Sequence, residues 1–91
     1  MLYMVIERFK NRDARAVYAR FDASGRMMPD GLRYVSSYVD FDYDRCFQLM
    51  ECDDERLLHA WASHWVDLVD FEFVPVRPSS DARAALDQES P

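Results

Sequence analysis

The chain of 91 residues holds only two glycines, Gly25 and Gly31, two cysteines, Cys46 and Cys52, and two histidines, His59 and His64. Glycine this scarce excludes a Gly-rich phosphate-binding loop and a glycine-flanked nucleophile elbow, both of which need several residues free of a side chain. The cysteines fall six positions apart on what reads as one strand, a separation of about 20 Å that no intrachain disulfide bridges, so two buried, reduced thiols are expected. A buried cysteine on a strand acts more readily as a small hydrophobe than as a nucleophile. The histidines stand five apart on a helical pattern, pointing about 140° away from each other, which is not the one-face geometry of a two-histidine metal site. Neither a metal nor another cofactor is expected.

Basic charge is also in short supply. Eleven Lys plus Arg face seventeen Asp plus Glu for a net charge of -6, and the arginines are scattered rather than striped. Nucleic acid and anionic membrane surfaces are therefore poor partners, and the charges read as a solvated surface. No run approaches the roughly 20 apolar residues of a membrane span. The opening Met1 to Ile6 is apolar, but it ends at Glu7-Arg8 without a basic leader or a small-residue cleavage site, so a cytoplasmic protein is expected.

What is present is apolar and aromatic: 49% hydrophobic residues and 14% aromatic ones, far from the signature of disorder. The organising stretch is Arg45 to Asp54, Arg-Cys-Phe-Gln-Leu-Met-Glu-Cys-Asp-Asp. As a strand it sends Cys46, Gln48, Met50 and Cys52 one way and Arg45, Phe47, Leu49 and Glu51 the other, and neither is a solvent face. Such a strand belongs inside a sheet with helices on one side and another apolar cover beyond. In a domain that buries only about 60 to 65% of its unfolded surface, a second subunit is the expected cover.

Leu2 to Phe9 reads as a first strand with the same two-sided character, Leu2, Met4 and Ile6 opposing Tyr3, Val5 and Phe9. Its polar pair Glu7 and Arg8 points to opposite faces, so each needs its own partner, and a salt bridge across a dimer is the plain account. Asn11-Arg12-Asp13 supplies a turn and a cap for a helix from about Ala14 to Ala23. Pro29-Asp30-Gly31 ends any extension of it, and Leu32 to Phe41 forms a second strand that turns at Asp42-Tyr43 into the organising stretch. Asp53 or Asp54 caps a second helix carrying Leu57, Leu58, Trp61 and Trp65 to about Val66. Leu68 to Val76 is the last strand, with Pro75 marking an edge or an ending.

The order strand, helix, strand, strand, helix, strand is an α+β, ferredoxin-like βαββαβ unit with a four-stranded antiparallel sheet. A second copy laid sheet to sheet makes it a dimeric α+β barrel. The domain spans residues 1–77, and 78–91 is a polar, loosely held tail in which Ser80 could cap a short helix through Leu86.

The strings Met4-Val5-Ile6-Glu7-Arg8-Phe9, Tyr34-Val35 with Val39-Asp40, Arg45 through Asp54, and Asp67 to Glu72 followed by Val74-Pro75-Val76 resemble a family of short bacterial proteins classed as a domain of unknown function and related in shape to the dimeric α+β barrels. The resemblance covers Met1 to about Val76. It implies the fold, a homodimer and a cytoplasmic bacterial setting, and it implies no reaction and no catalytic residue. Structural cousins of the barrel include cofactor-free monooxygenases, small isomerases and haem-handling proteins, a fold-level analogy only.

An even-numbered loop between the second and third strands places Tyr34, Ser36 and Tyr38 on the face of Phe47, Leu49 and Glu51. With Trp61 or Trp65 descending from the helix, this group lines a pocket for a flat apolar ligand, and a Glu51 desolvated among aromatics serves as a general base. Against that stands the reading in which Glu51 ends its strand and pairs with an arginine while both tryptophans fill the core. Two functions follow. One is a metal-free homodimer that binds or converts a small hydrophobic or aromatic molecule, oxygenase-like or isomerase-like at most. The other is a non-catalytic structural or interaction module with a solid core. An internal cavity separates them, and Met50→Glu probes the dimer if Met50 faces the partner sheet.

Overall fold

The computed structural model describes residues 1–89. Its strands are β1 (Leu2–Phe9), β2 (Arg33–Val39), β3 (Arg45–Glu51) and β4 (Val69–Val76), and its helices are α1 (Ala14–Ser24), α2 (Arg56–Ala62) and α3 (Ser79–Glu89). The sheet runs β2-β3-β1-β4 with every neighbouring pair antiparallel, which is the ferredoxin-like arrangement expected from the element order. The two central strands are the two that read as apolar on both faces. β-Branched, aromatic and sulfur-bearing side chains at alternate positions suit a pleated surface covered from above and below.

Among the described residues one face of the sheet carries the buried core. Tyr3, Val5 and Phe9 of β1, Cys46 and Met50 of β3 and Val69 of β4 meet Leu58, Trp61 and Trp65 in the core. Leu2, Met4 and Ile6 of β1, with Phe47 and Leu49 of β3, lie on the opposite face and are half-buried by their neighbours alone. Met50 is 0% exposed and faces the helices, so it does not test the open face; its neighbour Leu49 does. The chain exposes 6377 Å² against about 5,500 Å² expected for a compact monomer of this mass.

Local chemistry sets the boundaries. Asp13 accepts a hydrogen bond from the Ala16 amide and starts α1, and Gly25 at φ 68° ends it. α2 is shorter than its apolar spacing suggests: regular helix stops at Ala62, and a series of tight turns carries Trp65 back under the core. Asp54 caps the entry to it by accepting from the Arg56 amide at 3.0 Å. The tail forms a regular helix, α3, none of whose residues is buried.

The connection from α1 to β2 is tightly constrained. Gly31 sits at φ 93°, and a Cβ there would stand 3.1 Å from Leu57 Cδ1. Gly31→Ala is therefore expected to cost about 1 kcal/mol or more, from backbone strain and crowding together, read as a lower urea midpoint with an unchanged slope.

Candidate functional site

The helix-facing side of β1 alternates Tyr3, Val5, Glu7, Phe9, so one carboxyl stands in an otherwise apolar row. Glu7 is 6% exposed. A carboxylate removed from water this far needs hydrogen bonds or a proton. Gln48, also buried, donates through Nε2 to Glu7 Oε2 at 2.7 Å and accepts at Oε1 from Arg26 Nε at 3.0 Å. The Arg26 main-chain carbonyl in turn accepts from both indoles, Trp61 Nε1 at 3.0 Å and Trp65 Nε1 at 3.1 Å. A relay of five side chains and one peptide carbonyl thus runs from the middle of the sheet to the helix layer.

The relay depends on an unusual loop. Met27 adopts φ 60°, a left-handed conformation that an unbranched side chain enters only at a cost of about 1 kcal/mol. Directly before it, Arg26 turns its carbonyl to the tryptophans and its guanidinium back over Tyr34, 3.8 Å from the ring centroid, and towards Phe21 at 5.0 Å. Among the described residues neither terminal guanidinium nitrogen has a hydrogen-bond partner.

A cavity of about 250 Å³ opens beside this relay. Phe9, Val39, Trp61 and Trp65 give it apolar walls, Glu7, Cys46 and Gln48 form its polar floor, and Arg26 borders it. Tyr18, Phe21 and Asp22, exposed residues of α1, make its rim.

Burial pushes the Glu7 carboxyl up to about 7, against the hydrogen bonds from Gln48 and Cys46 and the charge of Arg26, all of which pull it down. Burial, followed by the Glu7 charge, pushes the Cys46 thiol up to about 12. That leaves Cys46 a donor and no nucleophile at neutral pH. The Tyr18 phenol is likewise raised, first by burial and then by the charges of Cys46, Tyr43 and Glu7, so it stays a hydroxyl donor. The floor therefore carries one group able to exchange a proton near neutrality.

The residues singled out from the sequence are divided between the two faces. A β-bulge between Tyr34 and Ser36 adds one residue to β2. It turns Tyr34 to the helix side opposite Met50, where its hydroxyl meets Ser37 Oγ at 2.8 Å, while Ser36 and Tyr38 remain on the open face opposite Leu49 and Phe47. Trp61 and Trp65 do line a cavity, but Glu51 is on the far side of the sheet from them. Glu51 accepts from Arg33 Nε at 2.9 Å and Nη2 at 2.6 Å, and that guanidinium holds its carboxyl below the usual range. A Glu51 base raised by desolvation is thus replaced by an arginine-paired strand end.

Glu7 has the property expected of Glu51. Its partners lie within its own chain, not across a dimer. The sequence signal was its place in the alternation, between Val5 and Phe9 on a face with no solvent. His59 stacks edge-on against Phe73 at 5.0 Å, and among the described residues no group of His, Cys, Asp and Glu is placed to hold a metal ion. No described helix is long and apolar enough to cross a membrane.

Glu7 links stability to pH with a definite sign. Between its ordinary value of 4.5 and about 7 the folded chain holds this proton more tightly than the unfolded chain, so the group's contribution becomes less favourable as pH rises through that window. The full penalty above pH 7 is about 3 kcal/mol. Glu7→Gln, which keeps the shape without the charge, is expected to be more stable than the wild type by up to about 3 kcal/mol at pH 8, with most of the difference gone at pH 5. Urea denaturation at the two pH values measures it; a difference independent of pH would mean that Glu7 is not desolvated.

No curated protein and no solved structure matches the chain. One family model does, over residues 1–90, nearly the whole length and including both the strand that carries Glu7 and the loop that carries Arg26. The chain belongs to the family described as Domain of unknown function (DUF3303).

Proposed function

We propose that the protein is a cytoplasmic homodimer that binds a small apolar or aromatic molecule in the cavity between sheet and helices and exchanges a proton with it through Glu7. The observation that carries this reading is a carboxyl poised near pH 7 on the floor of an otherwise apolar cavity of about 250 Å³. A general base works best when its pKa lies near the operating pH, and burial tunes Glu7 to that value. In the simplest step the Glu7 carboxylate takes a proton from an acidic C–H or O–H of the ligand, becoming the neutral acid and leaving the electron pair on the ligand. The Tyr18 hydroxyl at the rim is available to donate to the resulting anion. Metal-free isomerisation and oxygenation both begin with such a step.

The cavity weighs against a solid, purely structural core. The open sheet face supports the dimer: Met4, Ile6, Phe47 and Leu49 form its apolar centre, Tyr38 stands 66% exposed beside them, and both signs of charge occur around them, with Arg8 and Arg45 near Asp70 and Glu72. A second copy turned face to face would supply the missing cover.

Native mass spectrometry of protein purified gently from its source cells is expected to give a dimer with a reproducible small-molecule adduct, and Leu49→Glu a monomer that keeps the adduct. A monomeric wild type would end the dimer reading. A dimer that is empty, and that small aromatic compounds fail to stabilise against heat, would end the ligand reading.

A further inference from the structure

We infer that the ligand of this cavity carries an anionic head group, a carboxylate or a phenolate, which docks on the terminal nitrogens of Arg26, and that its binding is coupled to protonation of Glu7. The inference rests on the small-molecule reading above and assigns that ligand its chemical class.

Arg26 is held at three points. Its Nε is committed to Gln48 at 3.0 Å, its plane is stacked 3.8 Å from the Tyr34 ring, and its main chain is fixed by two indoles. Three restraints hold a guanidinium whose terminal nitrogens have no hydrogen-bond partner among the described residues, although the side chain is partly buried and borders the cavity. Arg20 pairs with Asp67, Arg33 with Glu51 and Arg56 with Asp54, whereas among the described residues no carboxylate stands within ion-pair distance of Arg26. A preorganised fork with free donors beside an apolar cavity is the pattern that recognises a planar anion.

The anion then meets Glu7. The charged or titratable groups around the cavity are Arg26, Glu7 and Cys46 inside and Tyr18 and Asp22 at the rim. The Cys46 thiol and the Tyr18 phenol stay neutral through the physiological range. Glu7 is the interior group that changes charge near pH 7, and an anionic ligand binds beside its neutral form without repulsion. Binding therefore draws in a proton, and affinity for the anion falls as pH rises above about 7. With such a ligand bound Glu7 starts as the acid: it gives its proton to the ligand first, and only the carboxylate left behind takes one back as the base of the step described above.

The test uses 1-naphthoate and its uncharged counterpart 1-naphthamide as probes, titrated calorimetrically into the full chain at pH 6 and pH 8.5. The expected result is naphthoate binding about tenfold tighter than the amide at pH 6, with the preference shrinking at pH 8.5. Proton uptake on naphthoate binding should appear as heats that depend on the ionisation enthalpy of the buffer. Glu7→Gln should hold the naphthoate preference constant across pH, and Arg26→Gln should abolish it while leaving the amide unaffected. Arg26→Lys, which keeps the charge and loses the planar fork, guards against misfolding of the Gln variant and should weaken naphthoate only in part. Equal binding of both probes at both pH values would overturn the anion inference and leave the small-molecule reading standing. Binding of neither would overturn both.

Discussion

A single main-chain carbonyl, that of Arg26, ties the two layers of this domain together. It lies in the loop between α1 and β2 and accepts the indole N–H of both tryptophans, which come from α2 and from the turns that follow it. Each bond satisfies a buried donor that would otherwise cost about 1 to 3 kcal/mol. Together they fasten both indoles to the loop between α1 and β2. The space left beside them is the cavity, and the residue that supplies the carbonyl also supplies the guanidinium on its border. Position and chemistry are therefore set by the same short loop, at the price of a left-handed Met27.

Glu7 shows the opposite economy. A central-strand carboxyl weakens the fold at neutral pH, where an uncharged side chain would carry no desolvation penalty. The surroundings compensate it only in part: one amide, one thiol and a distant guanidinium. Full compensation by an arginine, as Glu51 enjoys, would stabilise the domain and hold the carboxyl ionised throughout the physiological range. The incomplete set of partners leaves the group near its midpoint, which is the condition for moving protons in both directions.

The sheet was legible in the sequence because it rests on period-two alternation, which survives small errors of boundary. The two-sided apolar character of β1 and β3, the helix-strand order and the capping of α1 by Asp13 all follow from residue type and spacing. The candidate site was legible only in pieces. Trp61 could be placed on the second helix, but Trp65 falls in the turns beyond its end, the face of Tyr34 depended on one extra residue in β2, and nothing in Tyr-Val-Ser-Ser-Tyr marks Val35 as the bulge. Glu51 and Glu7 are equivalent by pattern, each a carboxyl on a two-sided strand. What separates them is Arg33 on the neighbouring strand, a long-range pairing set by register.

That bulge has a meaning for how molecules of this kind can assemble. The sheet ends in β2 on one side and β4 on the other, and each free edge is a potential template for another chain. β2 is kinked at Val35, and β4 carries Pro75, which has no amide hydrogen to share. Neither edge offers a regular ladder, so continuous growth strand by strand into a fibre is discouraged on both sides.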